Sequence, residues 1–199
     1  VVSPGAAVAT AEIQAAKGAG KDVLGDVELF ARAIAGSRSK VIAITGSNGK
    51  STVTVLAGHL CAAAGLDAVV AGNIGLPVLD ALTERELADR LPDVWVLELS
   101  SFQLETTTSL RPDATTVLNI SEDHMDRYRD LADYAETKAR ILSAGVQVLN
   151  RDDPAVMAMA RADLTRRTFG LNAGDYGLLE RQGRTWLAEG EQALLPVDE

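Results

Sequence analysis

The segment Val41-Ile42-Ala43-Ile44-Thr45-Gly46-Ser47-Asn48-Gly49-Lys50-Ser51-Thr52 passes from an apolar run into glycines, one lysine and two hydroxyls. An apolar run of this length reads as a buried strand. Gly46 and Gly49 after it let backbone N–H groups come close to an anion, and a helix opening at Lys50 turns its positive dipole end to the same point. Lys50 is placed to neutralise terminal phosphates, and Ser51 or Thr52 to offer a hydroxyl to magnesium. The usual phosphate-loop spacing has a glycine where Ile44 stands, so this is a shortened variant. Gly46, Ser47, Asn48, Gly49, Lys50, Ser51 and Thr52 are therefore the predicted nucleotide-binding residues.

Working outward, 199 residues suffice for one large domain, or for one domain and part of another. The formal net charge of -9 and pI near 4.8 oppose broad binding to nucleic acid or to anionic lipid, and leave small phosphorylated ligands as partners of one local cationic site. The single Cys61 has no internal disulfide partner, and no leader or apolar span of bilayer length stands in the sequence, so neither membrane insertion nor export is expected. A cytoplasmic location is the plain expectation. The chain opens at Val1 without methionine and reads as a piece of something longer.

Before the phosphate loop, Ser3-Pro4-Gly5 is a turn, an alanine-rich helix follows, Val23-Leu24 looks strand-like, and Asp26 is placed to cap a helix through Phe30 and Ile34. Gly36-Ser37-Arg38-Ser39-Lys40 is a polar link and the expected boundary, dividing the chain into 1–36 and 37–199. After the loop, Val53, Leu56, Ala57, Leu60, Cys61 and Ala64 recur at helical spacing as a sheet-packing stripe. Strands are expected at 68–71, 94–97, 114–118, 146–149 and 167–169, with helices over 130–143 and from Pro154. Alternating strand and helix predicts an α/β fold: a mainly parallel sheet with helices on both faces. From Tyr176 the pattern becomes an antiparallel ribbon turning at Gln182-Gly183 and Glu189-Gly190.

In such a sheet, ligands gather beyond the carboxyl ends of the strands. Gly46–Thr52, Asn73, Glu98–Gln103 and Asn119–Asp126 all follow strands and should therefore converge. Glu98 closes an apolar strand, where a carboxylate is costly without a nearby cation; it is the expected magnesium ligand beside Ser51, with a water-facing strand end as the alternative. His124 stands among Glu122, Asp123 and Asp126. It fits either a second cation site or an ordinary surface hydrogen bond. His59, off its helix stripe, reads as a surface residue. Lys138 falls on the stripe of Leu131, Tyr134, Ile141 and Leu142, which aims its amine inward. Burial would favour a neutral amine able to take up carbon dioxide as a carbamate, but periodicity alone favours a lysine whose stem packs while its head reaches water.

Together these residues resemble the Mur ligase family. The matching runs are Thr45–Thr52, Gly72-Asn73-Ile74-Gly75-Leu76-Pro77, Leu97-Glu98-Leu99-Ser100-Ser101-Phe102-Gln103-Leu104-Glu105, Glu122-Asp123-His124-Met125-Asp126-Arg127-Tyr128, and Tyr134 with Lys138. The Asn-Ile-Gly and Ser-Ser-Phe-Gln runs favour the branch that adds D-glutamate. The resemblance implies that 1–36 is the C-terminal part of a Rossmann-like UDP-substrate-binding domain and 37–199 the central ATP-binding domain. A third domain is expected to lie outside this piece, and the piece is expected to be inactive alone. It further implies ATP with two Mg2+ sites as cofactors, and UDP-N-acetylmuramoyl-L-alanine and D-glutamate as small-molecule substrates, joined through an acyl phosphate in peptidoglycan precursor synthesis. Lys50 would contact the phosphates, Ser51 and Glu98 would hold one Mg2+, and His124 with carbamylated Lys138 the other. Gly5, Asn73, Ser100 and Gln103 would contact the UDP-substrate or the reacting groups. Alternatives are a neighbouring Mur-type or folylpolyglutamate-type ligase, and a P-loop nucleotide-binding module without ligase activity. A GTPase-like protein is a further rival, since Asn150-Arg151-Asp152-Asp153 partly matches a guanine-reading motif.

Overall fold

In the computed structural model, which describes residues 1–197, the chain runs α1 (Ala11–Gly18), α2 (Asp26–Ala33), β1 (Lys40–Thr45), α3 (Lys50–Ala63), β2 (Ala68–Gly72), α4 (Val78–Leu87), β3 (Val94–Glu98), α5 (Ser101–Leu104), β4 (Ala114–Val117), α6 (Leu131–Ala139), β5 (Val146–Asn150), α7 (Pro154–Ala158), β6 (Thr165–Phe169), β7 (Tyr176–Arg181), β8 (Arg184–Glu189) and β9 (Gln192–Pro196). All strands join one sheet in the order β2-β3-β1-β4-β5-β6-β7-β8-β9. Pairing is parallel from β2 to β7 and antiparallel over β7 to β9. The α/β expectation of a mainly parallel sheet ending in a ribbon therefore holds. The single bridge Phe169 to Tyr176 makes the ribbon an extension of the sheet. Its first turn puts both Gln182 (φ 54°) and Gly183 (φ 75°) in the left-handed region, as a two-residue hairpin requires.

Alternation along the strands builds two cores. Val41, Ala43, Trp95 and Leu97 face a layer that contains Val27, Phe30 and Ile34 of the α2 region, Val78, Ala81 and Leu82 of α4, and Val156 of α7. Ile42, Ile44, Val94 and Val96 face the opposite layer, with Val53, Ala57 and Cys61 of α3. With both faces covered, β1 and β3 are apolar without a break over Val41–Ile44 and Val94–Leu97, which is why they read as uninterrupted runs.

The stripe predicted for α3 is only partly the buried one. Thr54 and Gly58 face the sheet, whereas Leu56 and Leu60 are 55 % and 62 % exposed. Gly58 lies so close to Val70 that no Cβ fits, and this approach rotates the helix away from its larger residues. Three further expectations are corrected. Val23-Leu24 forms no strand, although Leu24 accepts a hydrogen bond from the Val2 N–H at 2.8 Å. The N-cap of α2 is Gly25, not Asp26, whose carboxylate instead accepts from the Gln103 amide at 3.1 Å. Within the α6 stripe Leu131 is 37 % exposed, while Tyr134, Lys138, Ile141 and Leu142 are buried.

Packing does not break at the polar link 36–40. Phe30 meets Trp95 edge to face at 5.1 Å, both fully buried. Glu28, also fully buried, accepts from the Thr108 and Ser109 N–H groups at 2.7 and 2.9 Å and from Arg32 at 2.9 Å. Burial pushes the Glu28 carboxyl up, but the bonds from Ser109, Thr108 and Arg32 outweigh it and hold the pKa at about 2, below its ordinary 4.5. The stability this group contributes is therefore complete above about pH 4.5 and is lost as pH falls toward 2. Glu28→Ala is expected to destabilise the chain by about 3 kcal/mol at neutral pH and to shrink the loss between neutral pH and about pH 3. Urea unfolding at the two pH values checks both.

Candidate functional site

The strand order makes the site. β1 lies between β3 and β4, so the carboxyl ends of three strands distant in sequence stand side by side, with Ile44 opposite Glu98 and Thr45 opposite Val117. The chain leaving β1 must turn at once into α3. Gly49, at φ 78°, takes the left-handed conformation just before the helix. The loop is held from below by Asn119, which accepts from the Asn48 N–H at 2.8 Å and donates to the Asn48 carbonyl at 3.0 Å. Ser47 Oγ accepts from the Ser121 N–H at 2.9 Å and lies 3.3 Å from the Tyr134 hydroxyl. Lys50 Nζ folds back to donate to the Ser47 carbonyl at 3.0 Å. Asn119→Ala removes two bonds from one backbone unit. We expect the Asn48 amide to lose about 1–3 kcal/mol of hydrogen-exchange protection, with little change in the exchange of β1.

Glu98 is 1 % exposed at the end of β3. Its Oε1 accepts from the Asn73 amide at 2.7 Å, and its Oε2 is buried with no partner. Asn73 is brought there by Gly72, whose φ of 107° and contact with the Glu98 carbonyl leave no room for a side chain. An ionised oxygen left alone in the interior is costly, and a cation is the partner that suits it.

Lys138 is 1 % exposed and reaches under the phosphate loop, donating to the Gly46 carbonyl at 2.9 Å and to Thr45 Oγ1 at 3.2 Å. The inward reading of its stripe position is the one observed. Burial, and next the Lys50 cation, push its amine down to about 7, against the upward pull of Asp123 and Glu98. The Tyr134 ring one turn earlier lies 4.7 Å from the Lys138 nitrogen.

His124 follows β4 in a left-handed turn (φ 54°), with Nε2 3.5 Å from Asp123 and its ring 4.7 Å from that of Phe102. Lys50, Asn73, Ser100, Phe102, Asp123, His124, Tyr134 and Lys138 share one cleft of about 210 Å³. Four predicted segments thus meet, and Glu98 underlies them through Asn73. Ser51 and Thr52 are exposed on the first turn of α3.

Two predicted contacts lie elsewhere. Gln103 is 4 % exposed and completes a capping box with Ser100 while donating to Asp26, so its amide ties α5 to α2. Gly5 lies beside Arg127, whose guanidinium donates toward the Gly5 carbonyl at 3.5 Å. Sequence reading did not single out Asn119, Tyr134, Asp123 or Phe102 individually; Tyr134 carried a signal, its position one turn before Lys138. Among the described residues no three His, Cys, Asp or Glu side chains gather as a metal cage. Hydroxyl, carboxylate and imidazole donors supplied singly suit a cation that keeps waters and substrate phosphates as its other ligands.

Beyond β5 and β6 the same edge opens into a larger, mainly apolar cavity of about 550 Å³, lined by Asn150, Phe169, Leu171, Tyr176, Leu178 and Leu187 among others. Arg151 there donates to the Asn172 and Tyr176 carbonyls, and Asn150 Nδ2 to the Leu118 carbonyl. Asp153 caps α7 and accepts from the Ile120 N–H. Committed in this way, the Asn-Arg-Asp-Asp run is structural, which removes the case for a guanine reader. No described helix is long and apolar enough to cross a membrane.

Residues 44–190 match the family model described as Mur ligase middle domain. The UDP-N-acetylmuramoylalanine--D-glutamate ligase of Chromobacterium violaceum is 63 % identical over 195 residues, covering 96 % of this chain and 43 % of that protein. The ligase of the same name from Salmonella paratyphi A is 50 % identical over 197 residues, covering 98 % and 43 %. The chain thus spans well under half the length of these relatives. Among solved structures, the MurF ligase of Thermotoga maritima in complex with ADP superposes with a TM-score of 0.66 at 22 % identity, covering 86 % of this chain and 43 % of that one, a likeness of fold.

Proposed function

The chain belongs to the Mur ligase family, and from that premise we propose that it forms part of an ATP-dependent ligase that adds D-glutamate to UDP-N-acetylmuramoyl-L-alanine in peptidoglycan precursor synthesis. The observation that carries this is the convergence of Lys50, Asn73, His124 and Lys138 on one cleft, above a buried Glu98 oxygen that lacks a partner. The D-glutamate branch, against other Mur-type or folylpolyglutamate-type ligases, is supported by identities of 63 % and 50 % to ligases of that name. We assign 1–36 to the end of the UDP-substrate-binding domain and 37–199 to the ATP-binding domain, with α2 as the part of the former docked on the sheet.

In this reading the substrate carboxylate attacks the γ-phosphorus of ATP and ADP departs. The D-glutamate amine then attacks the acyl carbon and phosphate leaves with the original carboxylate oxygen. Two anions must approach each other, so the dominant requirement is removal of charge repulsion at the reacting centre. Gly46 to Thr52 cradle the phosphates, and Lys50 turns from the Ser47 carbonyl toward the terminal one. Ser51 and Glu98 are the residues to hold one Mg2+, and His124 and Lys138 the other. Bound there, Mg2+ would neutralise phosphate oxygens and stabilise charge developing during transfer. Lys138 joins as a carbamate: its neutral amine adds to carbon dioxide and releases one proton, and the remaining N–H keeps a donor for the Gly46 carbonyl. Asn73 orients Glu98, and Ser100 faces the substrate. Gly5 and Gln103 act on the substrate indirectly, through the N-terminal turn and through α5. The apolar cavity beyond β5 and β6 is the place for the nucleoside.

The test is phosphate release by the full-length protein supplied with ATP, Mg2+ and UDP-N-acetylmuramoyl-L-alanine. Release that depends on D-glutamate, and not on L-glutamate or another amino acid, is expected. Preference for a different amino acid or a folate acceptor would move the protein to another branch.

A further inference from the structure

Arg127 stands outside the cleft, yet all five of its N–H donors are engaged. Nε and Nη2 bind Glu105 at 3.0 and 2.6 Å, Nη2 also donates to the Ala6 carbonyl at 3.1 Å, and Nη1 donates to the carbonyls of Pro4 at 3.1 Å and Gly5 at 3.5 Å. The pair is sheltered, at 12 % and 15 % side-chain exposure, and the Tyr128 hydroxyl donates to the same carboxylate at 2.9 Å. The guanidinium also lies 4.0 Å over the Phe102 ring, which packs in turn on His124 at 4.7 Å and on Tyr128 at 6.3 Å. Finally, the Arg127 N–H closes the His124 turn by donating to the His124 carbonyl at 2.9 Å. One residue thus touches the N-terminal turn and the aromatic ring that packs on His124 through its guanidinium, and the turn that carries His124 through its backbone N–H.

We propose that Arg127 is a positioning residue through which the Ser3–Ala6 turn sets the orientation of the His124 ring. Three backbone carbonyls fix the guanidinium from one side and Glu105 from another, so a displacement of the turn moves the plane that supports Phe102. A lysine has three donors and no plane; it cannot hold the carboxylate fork and the carbonyls together or stack flat on the ring. The consequence for a cation at His124 rests on the reading given under Proposed function, whereas the mechanical coupling does not.

The experiment separates the two. In the 199-residue chain without metal, Arg127→Lys is expected to speed hydrogen exchange at the Ala6 amide and to shift the His124 imidazole resonances. Phe102→Leu should shift those resonances as well, and adding Arg127→Lys to it should produce no further shift. Unmoved His124 resonances in a folded Arg127→Lys chain, or an unchanged Ala6 amide, would overturn the coupling. Glu105→Gln, which loosens the fork while keeping an acceptor, provides the same comparison should Arg127→Lys fail to fold. In the second arm, Mn2+ affinity in the presence of ADP is expected to fall about 10–100-fold on Arg127→Lys, an effect absent when His124→Ala is already present. Affinity unchanged by Arg127→Lys but lowered by His124→Ala removes any effect of the positioning on the cation. Affinity unchanged by His124→Ala defeats the cation assignment itself, and the resonance shifts still decide the coupling.

Discussion

Lys50→Ala in the full-length protein is expected to lower kcat by about 10²- to 10³-fold, the cost of removing one charge-stabilising donor from a transfer between anions. The position explains why. Lys50 opens α3 and lines the cleft, its amine now resting on the Ser47 carbonyl at 3.0 Å, a contact it can exchange for a phosphate without moving the backbone. Its charge matters most when phosphate oxygens and an attacking carboxylate crowd together, so kcat should fall more than KM rises. Lys50→Ala with kcat near that of the parent protein would remove Lys50 from the chemistry.

A comparable loss, about 10²-fold or more, is expected for Lys138→Ala, and part of it should return on adding a short carboxylic acid such as acetate, whose oxygens replace those of the carbamate. Only the neutral amine adds carbon dioxide. With the Lys138 amine pushed down to about 7, the competent form is populated above that pH and lost as pH falls through it. An amine at its usual value of 10.5 would be competent only in strongly alkaline solution. Labelling with ¹³C-bicarbonate should accordingly give a carbamate carbon signal in the parent protein that weakens below about pH 7 and is missing in Lys138→Ala. No such signal, together with no rescue, would reduce Lys138 to a loop support bonded to Gly46 and Thr45.

Some of this was legible in the residues and some was not. The parallel sheet, the glycines of the phosphate loop and the place of Lys138 on an inward stripe follow from periodicity and backbone chemistry, which act over a few neighbours; the burial of the Lys138 head does not. The outward Leu56 and Leu60 do not, because the rotation of α3 is decided by Gly58 meeting Val70, a contact between elements. The same limit applies to Gln103, which stands in a run that resembles a substrate-binding motif, yet has its amide taken by Asp26, a residue 77 positions away. Nor does any local pattern announce that Asn119 clamps Asn48 or that all five donors of Arg127 are engaged.

By itself, the amino-acid order determined which segments from Lys40 onward become strands, where each polar cluster leaves a strand end, and hence that the clusters share one edge. Strand order and register decided the rest: which groups on that edge come within bonding distance, which carboxylate oxygen is stranded without a partner, and which predicted ligand is turned to structural use. The reason is range. Hydrogen-bonded turns and side-chain periodicity are settled within a few residues of the chain, whereas the distance between Glu98 and Asn73 exists only after β2 has paired with β3, and that between Lys138 and Gly46 only after β4 has paired with β1.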